Sequence, residues 1–75
     1  MINTILVVDD EHDLAVTRER LLRRLGWVVV TATTRAEALA ALRVPPAPKL
    51  AIVDRQLSDG DGLDVLHAAR PPAPR

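Results

Sequence analysis

The sequence predicts an α/β fold with a parallel sheet, and three observations predict it. Apolar runs at 5–8, 27–32 and 50–53 have the length and β-branched content of buried strands. Each run is followed by a segment with helical spacing or helix-capping signals. Strand and helix therefore alternate three times, a pattern that favours parallel pairing through crossover connections.

The first strand, ILVV at 5–8, runs directly into Asp9, Asp10 and Glu11. The spacing then predicts a helix over about 13–25, with Leu14, Leu21, Leu22 and Leu25 on one face. Acids at its start and Arg23 and Arg24 near its end suit the helix dipole. Gly26 is placed to terminate it as the C′ residue. WVVVTA at 27–32 is the second strand. Thr34 and Glu37 form a capping-box pattern that opens a second helix, ending near Leu42. Pro45, Pro46 and Pro48 exclude helix and make the next segment a connecting loop. LAIV at 50–53 is the third strand and ends at Asp54. A loop with Gly60 and Gly62 leads to a third helix over about 63–69, which the tail PPAPR cannot continue. The expected organisation is one domain over 1–70 and a Pro-rich tail at 71–75. RPPAPR at 70–75 echoes RVPPAPK at 43–49, either as a polyproline-type ligand motif or as two loops of similar composition.

Composition narrows the function classes. A chain of 75 residues holds one domain at most, and at that size only about 60–65% of the unfolded surface is buried, so stability is marginal. There is no cysteine to supply a disulfide or a thiolate metal site, and Trp27 is the one aromatic. Ten basic and ten acidic residues give a net charge of zero, which argues against a general nucleic-acid or membrane-surface binder. The charge is unevenly placed: acids cluster at 9–13, and Arg18, Arg20, Arg23 and Arg24 follow. These arginines are expected to form a solvated face or a partner-docking surface. No apolar run approaches the roughly 20 residues that span a bilayer, and the N-terminus lacks a signal-peptide pattern. A soluble, cytoplasmic protein is expected.

The chemistry is concentrated at strand ends. In a parallel sheet with crossovers, ligands bind at the carboxyl ends of the strands, and Asp9, Asp10 and Asp54 all lie there. If the first and third strands are neighbours, three carboxylates meet in one pocket. Such a group repels itself unless a cation sits among it, which points to a divalent metal site with an aspartate available as nucleophile. The bland alternatives are that Asp9 and Asp10 cap the first helix and that Asp54 is a strand-exit turn residue. Asp59 and Asp61 have part of a calcium-loop spacing but lack its terminal Glu, and are expected to be turn and cap residues. His12, on the first helical turn, is expected to be solvated, and His67 to lie on a short amphipathic helix, neither as a metal ligand. Lys49 lies at the opposite end of the third strand from the acids.

ILVVDDE, the helix ending in Leu-Gly-Trp, VVVTATT followed by EAL, and above all IVDRQLSDGDGLDVL resemble the receiver domain of two-component response regulators, from Ile5 to about Ala69. The resemblance implies a partial flavodoxin-like, three-layer fold with a three-stranded parallel sheet in the order 2-1-3 and about three helices. It implies that Asp54 accepts a phosphoryl group from the phosphohistidine of a sensor histidine kinase or a phosphotransfer protein. It implies that Asp9 and Asp10 hold Mg²⁺, or Mn²⁺ in its place, with Asp10 the more direct ligand. Asp54 and the main-chain carbonyl of Gln56 complete the implied protein ligands. A receiver is a signalling domain rather than an enzyme, acting at most on its own phosphorylation, and no membrane or nucleic-acid contact is implied.

The sequence also departs from the family pattern. The fourth strand ending in Ser or Thr and the fifth ending in Lys do not occur within these 75 residues, so a receiver truncated after its third strand-helix unit is expected. Arg55 stands where an apolar residue is common, Ser58 where Pro is common, and Thr34-Arg35 where Asn or Asp followed by Gly is common. A third strand with no further neighbour is an apolar edge, and such an edge invites pairing with another chain. Two functions are therefore expected as rivals: a phosphoacceptor module, or a degenerate receiver serving self-association or protein interaction without phosphorylation.

Overall fold

In the computed structural model, which describes residues 3–45 and 47–69, the element order is β1 (Thr4–Val8), α1 (His12–Arg24), β2 (Val28–Ala32), α2 (Arg35–Ala41), β3 (Leu50–Val53), β4 (Gln56–Leu57), β5 (Gly60–Asp61) and α3 (Gly62–Ala69). The main sheet is parallel throughout, in the order β2-β1-β3. Residue 46 and the tail at 70–75, with the proline echo expected there, lie outside the described residues.

β1 is central and all five of its residues are buried. That is why its sequence is continuously apolar rather than alternating. Its two faces serve different clusters. Leu6 and Val8 pack with Ala32, Ala38, Leu57 and Val65 on the side of α2 and α3. Ile5 and Val7 pack with Val29, Leu22 and Trp27 on the side of α1. The sheet is thus the middle of three layers.

α1 ends in a Schellman motif. The N–H of Trp27 donates to the carbonyl of Leu22 and that of Gly26 to Arg23, both at 3.1 Å. Gly26 has φ +96°, a region that suits glycine. Trp27 is consequently held outside β2, one residue short of the strand expected over 27–32. Its ring and Leu22 then close the end of the α1-side cluster.

The leucine face of α1 docks only in part. Ala15 is the helix's buried residue and Leu22 is half-buried, whereas Leu14, Leu21 and Leu25 are 45%, 59% and 68% exposed. The reason is placement: α1 packs chiefly over β1 and β2, and among the described residues nothing covers its other flank. Leu50 and Ile52 of β3 are on the same side of the sheet and are exposed as well. Among the described residues β3 pairs with β1 alone, which leaves its other edge open.

α2 begins on a variant of the expected capping box. Thr34 Oγ1 accepts from the N–H of Glu37 at 3.1 Å. The Glu37 carboxylate reaches back one residue further than the motif requires, accepting from the N–H and hydroxyl of Thr33 at 2.8 and 2.6 Å. The segment between β3 and α3, expected to be a plain loop, contains the short antiparallel hairpin β4–β5.

Candidate metal and phosphoacceptor site

The carboxyl ends of β1 and β3 are locked side by side. Val8 pairs with Val53 in the ladder, and the ladder continues one step further, with the N–H of Asp54 donating to the carbonyl of Val8 at 2.8 Å. On the other side the N–H of Asp9 donates to the carbonyl of Ala32 at 3.1 Å. The backbone therefore holds Asp9, Asp10 and Asp54 together, and one carboxylate oxygen from each lies within 4.8 Å of the others. Adjacent strand residues normally point to opposite faces. Asp9 and Asp10 converge because β1 stops at Val8.

The three carboxylates differ in environment. Asp9 is buried, with a side chain 4% exposed, while Asp10 is exposed and Asp54 half-buried. Both oxygens of Asp9 are engaged: Oδ1 accepts from the N–H of Glu11 at 2.9 Å and Oδ2 from Arg18 Nη1 at 2.8 Å. Asp9 therefore fixes the turn that leads into α1 and lines the acidic cluster, but it does not cap the helix, whose N-cap residue is Glu11 with no side-chain cap. Asp54 Oδ1 accepts from the N–H of Gln56 at 3.3 Å, and its Oδ2 accepts no hydrogen bond among the described residues. A cleft of about 390 Å³ runs beside the cluster, lined by Asp9, Leu14, Arg18, Ile52, Asp54 and Arg55.

Two supports fix the loop after Asp54. Gly62 packs against it so closely that an added Cβ would collide with the Asp54 carbonyl oxygen and lie 2.8 Å from Val53 Cγ1, while the N–H of Gly62 donates to the carbonyl of Arg55 at 2.7 Å. Asp59 reaches across to α2, where its two oxygens accept from the N–H groups of Arg35 and Ala36 at 2.7 and 3.0 Å. These bonds, that to Arg35 first, hold its carboxyl below the usual aspartate range. Arg35 adds an ion pair to Asp64 of α3 at 2.9 Å. Asp61 accepts from the N–H of Leu63 at 2.9 Å and begins α3. Asp59 and Asp61 are turn and cap residues as expected, except that Asp59 caps a helix distant in sequence.

Arg18 is the residue that sequence reasoning misplaced. It was expected on a solvated face or a partner-docking surface, yet its guanidinium bonds to Asp9 of the acidic cluster. Its signal was available: Leu14, Arg18, Leu21 and Leu25 share one helix face, and a lone arginine in an apolar face needs an anion nearby. Lys49 lies at the far end of β3, with Nζ 3.3 Å from Asn3 Oδ1, and His12 and His67 are exposed.

Three oxygens from carboxylates are the hard donors that Mg²⁺ and Mn²⁺ accept, so the cluster fits such an ion. Among the described residues no helix is long and apolar enough to cross a membrane.

Comparison with known proteins agrees with this geometry. Residues 5–73 match the response regulator receiver domain family. The chain is similar to the probable transcriptional regulatory protein TcrX of Mycobacterium tuberculosis, 45% identical over 67 residues, covering 89% of this chain and 28% of that protein. It is also similar to the acid tolerance regulatory protein ActR of Rhizobium meliloti, 39% identical over 67 residues, covering 89% of this chain and 34% of that protein. The chain thus spans about a third of the length of the curated relatives it matches. Among solved structures it resembles the non-phosphorylated HemR receiver domain from Leptospira biflexa, with a TM-score of 0.77 and 34% identity, covering 87% of this chain and 52% of that one.

Proposed function

The chain belongs to the response regulator receiver domain family of two-component signalling, and on that premise we propose that it accepts a phosphoryl group on Asp54 with Mg²⁺ bound beside it. The observation that carries this reading is the meeting of Asp9, Asp10 and Asp54 within 4.8 Å at the ends of two paired strands. Asp10, exposed and unbonded among the described residues, is the carboxylate most available to the ion. Asp54 and the main-chain carbonyl of Gln56 are the other direct ligands proposed. Asp9 lies behind them. When bound, Mg²⁺ offsets the repulsion between an anionic nucleophile and an anionic phosphoryl donor.

Asp54 is the nucleophile. Its Oδ1 is oriented by the Gln56 N–H, which leaves Oδ2 to bond to phosphorus. The phosphorus–nitrogen bond of a phosphohistidine on a histidine kinase or phosphotransfer protein breaks as that bond forms, and the electron pair leaves on the imidazole. The Val8–Asp54 hydrogen bond and the Gly62 contact keep the attacking carboxylate from drifting. Arg55 lines the same cleft and adds positive charge where the phosphoryl oxygens arrive.

The test is Mg²⁺-dependent labelling by acetyl phosphate, read by intact mass. One phosphoryl group per chain is expected, and none in Asp54→Asn. Labelling that survives Asp54→Asn refutes the assignment.

A second reading has its own support. The open edge of β3, with Leu50 and Ile52 exposed beside the uncovered flank of α1, suits self-association of the 75-residue chain. In that reading association proceeds without Mg²⁺ or phosphoryl donor. A thermal melt against millimolar Mg²⁺ separates the two, because an ion that binds only the native state must raise the midpoint.

A further inference from the structure

Arg18 is the one cation bonded to a carboxylate of the acidic cluster among the described residues. The pair is lopsided. Asp9 has a side chain 4% exposed and is fixed by its own backbone bond to β2, whereas the Arg18 side chain is 42% exposed at the end of a long stem. The anion cannot leave; the guanidinium can, because water will satisfy its donors.

Resting on the Mg²⁺ site proposed above, we propose that Arg18 is a resident counterion of the pocket, against whose charge a divalent cation must enter, so that this side chain sets a lower Mg²⁺ affinity than the carboxylates alone would give. It acts through Asp9 and is a positioning residue. Two effects have the same sign. A guanidinium bonded to the cluster repels a second cation entering it. Its charge-assisted bond also occupies Asp9 Oδ2, an oxygen that would otherwise face the ion's field. In exchange Arg18 keeps a buried carboxylate paired while no ion is bound. The pocket therefore keeps its buried carboxylate paired without the ion, at the expense of affinity for it.

The experiment is a Mn²⁺ titration of the full chain, followed by loss of the free-ion paramagnetic resonance signal, with Mg²⁺ as competitor. Arg18→Met removes the charge. Arg18→Gln removes the charge but keeps an N–H donor for Asp9, which protects the fold. Both are expected to bind Mg²⁺ about five- to tenfold more tightly than wild type, with Arg18→Lys returning to within about twofold of it. Structural damage can weaken a site but cannot tighten it, so the direction is diagnostic. Unchanged or weaker binding in Arg18→Gln overturns the inference while leaving the Mg²⁺ site standing. Binding in the Arg18 variants but not in wild type supports it. No binding in any of the four proteins overturns both the inference and the Mg²⁺ site.

Discussion

The backbone N–H of Asp54 donates to the carbonyl of Val8 at 2.8 Å, so β1 and β3 stay hydrogen-bonded until the first acid of each segment. The separation of the acidic tips is set by strand register rather than by the side chains themselves. Charges in the pocket can therefore be changed singly without moving the frame that holds them.

Asp9→Asn and Asp10→Asn should differ in kind. Asp9 is buried and paired with Arg18, so its substitution should lower metal-free stability by about 1–3 kcal/mol. Asp10 is exposed, and its substitution should stay within about 0.5 kcal/mol. Asp10→Asn should nonetheless abolish the rise in melting midpoint with Mg²⁺. Urea denaturation and thermal melts with and without Mg²⁺ check both statements. Equal metal-free losses would show that burial does not separate the two.

Gly62→Ala should disturb the phosphoacceptor from behind. The new methyl has no room between Val53 and the Asp54 carbonyl, and relief requires the backbone to shift, at a cost of about 1–3 kcal/mol. Labelling of Asp54 by acetyl phosphate should slow more than stability alone explains. A variant that labels at the wild-type rate would show the contact to be slack.

Asp59 predicts a pH dependence with a definite sign. Its carboxyl is held low by the N–H groups of Arg35 and Ala36. A depressed folded-state pKa stabilises the fold at pH above the ordinary aspartate value, about 3.9, and the contribution is lost as pH falls through the lowered value. The gap in melting midpoint between wild type and Asp59→Asn should be open at pH 7 and should close below about pH 4. Glu37, lowered by the Thr33 hydroxyl first, contributes in the same direction to both proteins, and the Asp59 charge opposes that lowering only as the smallest of its causes. A gap that widens on acidification contradicts the capping role.

If β3 offers its free edge to another copy, Ile52→Lys should reduce association. Lysine on an open edge discourages strand pairing. Light scattering across a concentration series is the measurement. A wild-type chain that stays folded and monomeric at high concentration removes the proposal.

Much of this arrangement was legible in the chain. Ile5 to Val8 reads as a buried strand because it is apolar without alternation, and the acids that follow mark its carboxyl end. The order 2-1-3 came with the family resemblance, and from it the meeting of Asp54 with Asp9 and Asp10 followed. What remained hidden depended on distance in space. Asp59 looks like a local turn residue, since nothing in DGDG announces that its carboxylate caps a helix opened more than twenty residues earlier. Arg18 was grouped with Arg20, Arg23 and Arg24 by composition, although it alone shares a face with Leu14. The leucines of α1 were legible as a face, but not how much of that face the sheet would cover. Trp27 was drawn into a strand by its apolar neighbours, while the helix end claimed its N–H.

β1 contributes most to both hydrophobic clusters, Leu6 and Val8 to one and Ile5 and Val7 to the other, and β2 joins it with Ala32 and Val29. The two helix layers are joined through this pair of strands. Loosening on either flank can spread across the molecule through the paired strands β1 and β2, five residues long. The amides of β1 should be the last to trade their hydrogens for solvent deuterium, and the molecule should come apart as one piece once they do.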